Sequence, residues 1–213
     1  MWFRGTVPRC FNALVDLPDS WPLSAADDVR DALLTAYADP SRSYHDTRHL
    51  TEVVARLAEI GAAGVAYERV PVLLAAWFHD AVYDGERDAE ERSAVWAEEA
   101  LAPLLDPAAV AEVARLVRLT ETHRPEDDDV NGCALSDADL AILAAPPERY
   151  REYVAAVRRE YAHVDEESFR RGRAGVLRAL LDKRHLFHTD FARDAWERAA
   201  RDNAEAELAG LEA

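Results

Sequence analysis

The stretch Trp77-Phe78-His79-Asp80-Ala81-Val82-Tyr83-Asp84 decides how the rest of the chain reads. It closes an apolar run of Leu73, Leu74, Ala75, Ala76, Trp77 and Phe78, after which an imidazole and a carboxylate stand side by side. Neutral His and ionised Asp sit at protein surfaces unless a partner offsets their desolvation. A buried helix that delivers both at one point therefore asks for such a partner, and a divalent cation would serve.

Helical patterns extend outward from this run. Upstream, Ser24 with Asp27 three residues later predicts a helix start, and Val29, Leu33, Leu34 and Tyr37 keep helical spacing until Asp39-Pro40 stops it. Leu50, Val53, Val54, Leu57 and Ile60 predict an amphipathic helix ended by Gly61. Pro71 suits the first position of the helix that carries the apolar run. Downstream, a helix holds Glu90, Glu91, Ser93, Ala94 and Trp96 and ends near Pro103, and Pro107 opens another with His123 at its end. Residues 124–131 read as an acidic loop, and Asn131-Gly132, flanked by acidic residues, reads as loop as well. Leu135 to Leu143, Pro147 to Tyr161, and about 166–183 and 189–209 are helical again.

No segment alternates with period two for long, and no hairpin signal joins two β-branched runs. The expected fold is all-α: a single helical bundle of eight or nine helices over residues 24–213, preceded by an irregular clasp over residues 1–23 with Pro8, Pro18 and Pro22.

With 213 residues, 49% of them hydrophobic and 31% charged, the chain suits one ordinary globular domain. Its 25 basic and 41 acidic side chains give a net charge of −16, which repels a nucleic acid polymer. Residues 148–184 are the exception, with nine Arg and one Lys against seven acids, and are the one place that welcomes an anion. Cys10 and Cys133 make no disulfide framework, and neither a signal peptide nor a membrane span is evident. The chain reads as cytoplasmic, with no membrane partner.

Four ligands stand out by position: His49 at a helix start, His79 and Asp80, and Asp139 in Asp139-Leu140-Ala141-Ile142-Leu143. Two imidazoles and two carboxylates suit Mn, Fe, Mg, Co, Ni or Zn without choosing among them. His45 and His49 are four apart and share a helix face, so both can ligate, or one can ligate while the other donates a proton. Asp84, four beyond Asp80, would orient a bound water if the helix continued through Tyr83.

These residues resemble the HD superfamily of metal-dependent phosphohydrolases, whose order of His, His-Asp and distant Asp is matched by His49, His79-Asp80 and Asp139. The chain is similar in particular to the predicted HD phosphohydrolases of about 200 residues. The likeness runs through Tyr44-His45, Glu91, Ser93-Ala94, Thr120, His123, Asp137-Ala138-Asp139-Leu140, Tyr150, Tyr153, Glu160-Tyr161, Ala200-Arg201 and Asn203, and covers about residues 24 to 207. Tyr44-His45-Asp46-Thr47-Arg48-His49 also resembles the YHNxxH motif of cyclic-nucleotide phosphodiesterases, with Asp46 in place of Asn. That likeness makes His45 the proton donor and His49 a ligand. Asp84 matches the Asp of the HDxxED signature, while Tyr83 replaces its Glu. The Ala138-Asp139-Leu140 frame, similar to that of the relatives, favours Asp139 over Asp137 as the fourth ligand.

The resemblance implies hydrolysis of a small phosphate ester, a nucleotide among the candidates, by a metal-activated water. His45 and Asp84 would be catalytic, and His123 would contact phosphate or join a second metal site with Asp80 bridging. Arg42 and Arg158 are candidates to fork onto phosphate oxygens. A di-iron oxygenase and a non-catalytic regulator that binds metal and ligand are the alternatives, and an oligomer is compatible with either.

Overall fold

In the computed structural model, which describes residues 16–213, the chain is all-helical. Its elements are α1 (Leu17–Ser20), α2 (Asp27–Tyr37), α3 (Thr47–Ala62), α4 (Arg69–Phe78), α5 (Ala89–Leu101), α6 (Pro107–Leu119), α7 (Val130–Leu140), α8 (Pro147–Glu160), α9 (Glu166–Leu181) and α10 (Asp190–Glu212). A 3-10 turn, Ala141–Ala144, prolongs α7. No described helix is long and apolar enough to cross a membrane.

The apolar run forms the axis of the bundle. Val72 to Phe78 are all buried, so α4 beyond its first turn has no wet face and packs on α3, α5, α6 and α7. A helix enclosed on every side carries no amphipathic stripe, which is why its sequence is apolar all round. Trp77 is fully buried and meets Trp21 edge-on at 5.2 Å between ring centres. Trp21 and Leu17 thereby seat residues 16–23 on the core. The rest of the predicted clasp, with Cys10, lies outside the described residues.

Several helix boundaries differ from the sequence reading for local reasons. The first long helix starts at Asp27, not after Ser24, and its preceding residue Ala26 takes a left-handed conformation with no side-chain cap. Helix α3 runs past Gly61 to Ala62, and the turn falls at Gly64, whose φ of +90° favours glycine. Pro71 is third in α4, where its missing N–H would have had no helical partner anyway.

Asn131-Gly132 is helical rather than loop. Asp129 caps α7 by accepting the Gly132 N–H at 2.9 Å, and Asn131 Oδ1 accepts the Glu68 N–H at 2.8 Å. A Cβ on Gly132 would lie 2.3 Å from the Asp129 carboxylate and 2.6 Å from Leu119, so glycine answers to close packing here.

Candidate metal centre

Three segments converge at the C-terminal end of α4. His49 stands in the first turn of α3, where Asp46 accepts the N–H groups of Arg48 and His49. That cap fixes the helix start and with it the direction of the imidazole. His79 ends α4 and Asp80 follows it. Asp139 is next to last in α7, and Asn203 of α10 secures the turn beyond it through the carbonyls of Leu143 and Ala145 at 2.8 and 2.9 Å.

His49 Nε2 and His79 Nε2 are 3.0 Å apart. Asp80 Oδ2 lies 3.2 Å from the first and 3.0 Å from the second. Asp139 Oδ1 lies 3.2 and 3.6 Å from the same two nitrogens. Ligands about 2.1 Å from one ion sit about 3.0 Å apart at right angles and about 3.4 Å apart at tetrahedral angles. The observed spacings fit that shell.

Tautomer chemistry agrees with it. His79 Nδ1 is 2.7 Å from the Ala76 carbonyl, which can only accept, so Nδ1 carries the proton and a neutral His79 leaves its Nε2 lone pair facing the cluster. His49, His79 and Asp139 each bring a ligand atom within 4.8 Å of the others and can hold a metal ion.

Both histidines are almost wholly buried. Burial alone would lower their pKa values, but the carboxylates override it: His49 is raised to about 9 by Asp139 and Asp80, and His79 is raised well above its usual value by Asp80 and Asp139, with Tyr37 adding to the effect. Burial likewise opposes ionisation of Asp80 and Asp139, yet the imidazoles hold both well below the carboxylate range. The cluster is thus a buried set of donors that satisfy one another only by sharing protons, a place a cation can take.

Asp137 has a different task. Fully buried two residues before Asp139, it accepts the N–H of His188 at 2.7 Å and of Thr189 at 2.8 Å, which anchors the start of α10.

His45 sits beside the cluster, its ring 5.6 Å from that of His49. It is held from two directions. Its Nδ1 is 2.7 Å from Glu160 Oε2, and its ring stacks on Tyr83 at 4.1 Å. Glu160 Oε1 also accepts the backbone N–H groups of Ser43, Tyr44 and His45 at 2.8, 2.7 and 3.0 Å. Burial opposes its ionisation, but His45 and these N–H groups bring its pKa down to about 2. Glu160 is thus an ionised acceptor that leaves His45 Nε2 as the nitrogen able to deliver a proton.

Among the sequence candidates, His123 joins the group. Its Nε2 is 3.4 Å from Asp139 Oδ2, so the carboxylate it meets at this distance belongs to Asp139, where a bridging Asp80 was expected. His123 has a φ of +48°, a left-handed conformation that His tolerates better than most residues, and its Nδ1 is buried without a hydrogen-bond partner. Burial lowers its pKa despite Asp139.

Asp84, Arg42 and Arg158 are engaged elsewhere. Helix α4 stops at Phe78, so Asp84 is not one helical turn beyond Asp80. Instead it forks onto Arg92 at 2.7 and 2.6 Å on the exposed surface, and Arg92 keeps its carboxyl well below the usual range. Arg42 donates to the carbonyls of His45, Asp80 and Ala81 at 3.0, 2.6 and 2.9 Å, tying the His45 segment to the end of α4. Arg158 closes the end of α8 through Tyr161, Val164 and Glu166. Neither arginine presents the open fork that phosphate recognition needs.

The sequence assigned no role to Glu160 or to the stacking face of Tyr83. Glu160 is 115 residues from its His45 partner and lies in an arginine-rich helix, where local pattern reads it as one more surface acid. No protein-family model, no curated protein and no solved structure matches the chain.

Proposed function

We propose that the chain is a cytoplasmic, metal-dependent phosphohydrolase that cleaves a phosphate ester of a small molecule, nucleotides included. One observation carries this reading: the buried His49 and His79 and the partly buried Asp80 and Asp139 meet at ligand spacing, with a carboxylate-held histidine in ring contact beside them. The resemblance of His45, His49, His79-Asp80 and Asp139 to the HD phosphohydrolases supports it.

His49, His79, Asp80 and Asp139 would hold the ion. A divalent cation there would supply Lewis-acid stabilisation and a water of lowered pKa. Mn, Fe, Mg, Co, Ni and Zn all suit the donors. His45, protonated on both nitrogens, gives its Nδ1 proton to Glu160 as a hydrogen bond and transfers its Nε2 proton to the departing ester oxygen. Glu160 holds the imidazolium in place and stabilises its charge, while Tyr83 covers one ring face. Asp84 has no part in this chemistry, because its carboxylate belongs to Arg92.

The test is metal analysis of the purified protein, followed by a phosphatase and phosphodiesterase screen with added Mn, Co, Ni and Mg. About one ion per chain is expected, lost in His79→Ala and retained in His45→Ala, which loses turnover. Full metal content in His79→Ala, or no hydrolysis of any phosphoester by metal-loaded protein, overturns the proposal. The contact of His123 with the second oxygen of Asp139 favours one alternative, a di-iron oxygenase in which His123 would help to hold a second ion. Two irons per chain and a coloured protein would move the assignment there.

A further inference from the structure

The two imidazoles of the cluster are not held in the same way. His79 has its Nδ1 proton placed by the Ala76 carbonyl at 2.7 Å. His49 hydrogen-bonds through its backbone N–H and its Nε2, and its Nδ1 meets no acceptor among the described residues. An imidazole that offers Nε2 to a metal carries its proton on Nδ1, and metal-bound histidines almost always donate that proton to an oxygen. For His49 the oxygen has to come from the space around it.

Beside His49 lies a cavity of about 10 Å³, with Tyr44, Glu52, Val53, Ala138 and Asp139 on its wall. One water needs roughly 10 to 15 Å³ and two to four polar partners. Tyr44 supplies one such partner. It is only 5% exposed, and its hydroxyl is buried without a hydrogen bond. A buried hydroxyl in that state is costly and rare. Its ring is fixed by neighbours, with the rings of His49 at 4.8 Å and Tyr153 at 4.6 Å and the Arg149 guanidinium at 5.9 Å. Glu52 supplies another partner. Arg149 forks onto its two oxygens at 2.7 Å, which holds it as a carboxylate with lone pairs to spare. Two residues with unmet polar atoms, His49 and Tyr44, thus share one water-sized space with two carboxylates.

We infer that this cavity is a water-binding site belonging to the metal centre. One water there accepts the Nδ1 proton of His49, shares a hydrogen bond with Tyr44 Oη and donates to the carboxylate of Glu52 or Asp139. Tyr44 is then a positioning residue. Through the water it fixes the tautomer of His49 and the direction of Nε2, as the Ala76 carbonyl does directly for His79. The inference rests on the metal-binding part of the proposed function and not on its hydrolytic part.

Zinc is the probe, bound to the full-length protein in competition with a chelator. Tyr44→Phe keeps the ring and its packing and removes only the hydroxyl. It should weaken zinc binding about tenfold, at the lower end of outer-shell losses. Ala141→Val fills the cavity from another wall with Tyr44 intact, and should weaken zinc binding as well. Tyr153→Phe, which takes a hydroxyl from the ring packed on Tyr44, should not. A crystal structure of the zinc-loaded protein should show one water within hydrogen-bond reach of Tyr44 Oη and His49 Nδ1. Wild-type zinc affinity in Tyr44→Phe, or a zinc-loaded cavity without a water, overturns the site. An equal loss in Tyr153→Phe assigns the effect to packing and overturns it too. Protein that binds zinc and shows this water, yet hydrolyses no phosphoester, would end the phosphohydrolase reading and leave the water site standing.

Discussion

Two buried sets of charged groups lie in this bundle, and they are built on opposite terms. At the first, Arg173 forks onto Glu207 at 2.7 and 3.0 Å while Tyr150 donates to the same carboxylate at 2.5 Å. Each charge has its counter-charge from the chain itself. At the second, His49, His79, Asp80 and Asp139 press donor atoms together at 3.0 to 3.6 Å and satisfy one another only by sharing protons. The first set is complete and serves the fold. The second can hold a metal ion, which makes it a candidate site.

Substitutions can break this contrast. The largest effect is expected at Asp139→Ala, which should weaken metal binding by more than about 100-fold, since even outer-shell changes at metal sites cost about 10- to 100-fold. Metal content after dialysis reads this directly. Asp137→Ala, two residues away, should keep the metal and lower the melting temperature, because it leaves the His188 and Thr189 N–H groups without their acceptor.

Next comes Glu207→Ala, which strands the buried Arg173 guanidinium and should cost about 3 to 5 kcal/mol in urea denaturation. Metal content in that variant should be unchanged. A joint loss of metal and stability would mean that the two charge sets are one unit.

Glu160→Gln sharpens the contrast through pH. The folded carboxyl titrates at about 2 against an ordinary 4.5, so its stabilisation is fully present above 4.5 and is lost as pH falls through about 2. Between these limits wild type should lose about 3 kcal/mol of stability that the Gln variant never had. Denaturation series at pH 6, 4 and 3 should therefore converge for the two proteins. Turnover of Glu160→Gln at neutral pH should also fall, with metal retained.

The smallest effect is expected at Asp84→Asn. Its partner Arg92 is exposed, and surface pairs contribute about 0 to 1 kcal/mol. Metal content and turnover should change less than about twofold. A large loss of turnover would return Asp84 to the chemistry.

Much of the architecture was legible because it is local. Pro107 opening α6, Pro147 opening α8 and the apolar stripe of Leu50, Val53, Val54, Leu57 and Ile60 are helical signals that neighbours cannot easily reverse. Asn131-Gly132 was misread because a turn dipeptide became helical under long-range demands: Asn131 binds Glu68, and Gly132 packs under Leu119. The meeting of His49, His79 and Asp139 at the end of α4 was legible for a chemical reason, since His79-Asp80 at the end of an apolar helix has few uses without a partner.

By itself, the sequence determined an all-α chain, the enclosed α4 and the donors at its end, since periodicity and desolvation act on residues near in sequence. Only the tertiary structure decided between Asp139 and Asp137, gave His45 to Glu160, gave Asp84 to Arg92 and turned Arg42 to backbone carbonyls. Counting charges along a chain finds their excess, but pairing is settled by which helices meet, and that depends on contacts up to 117 residues apart.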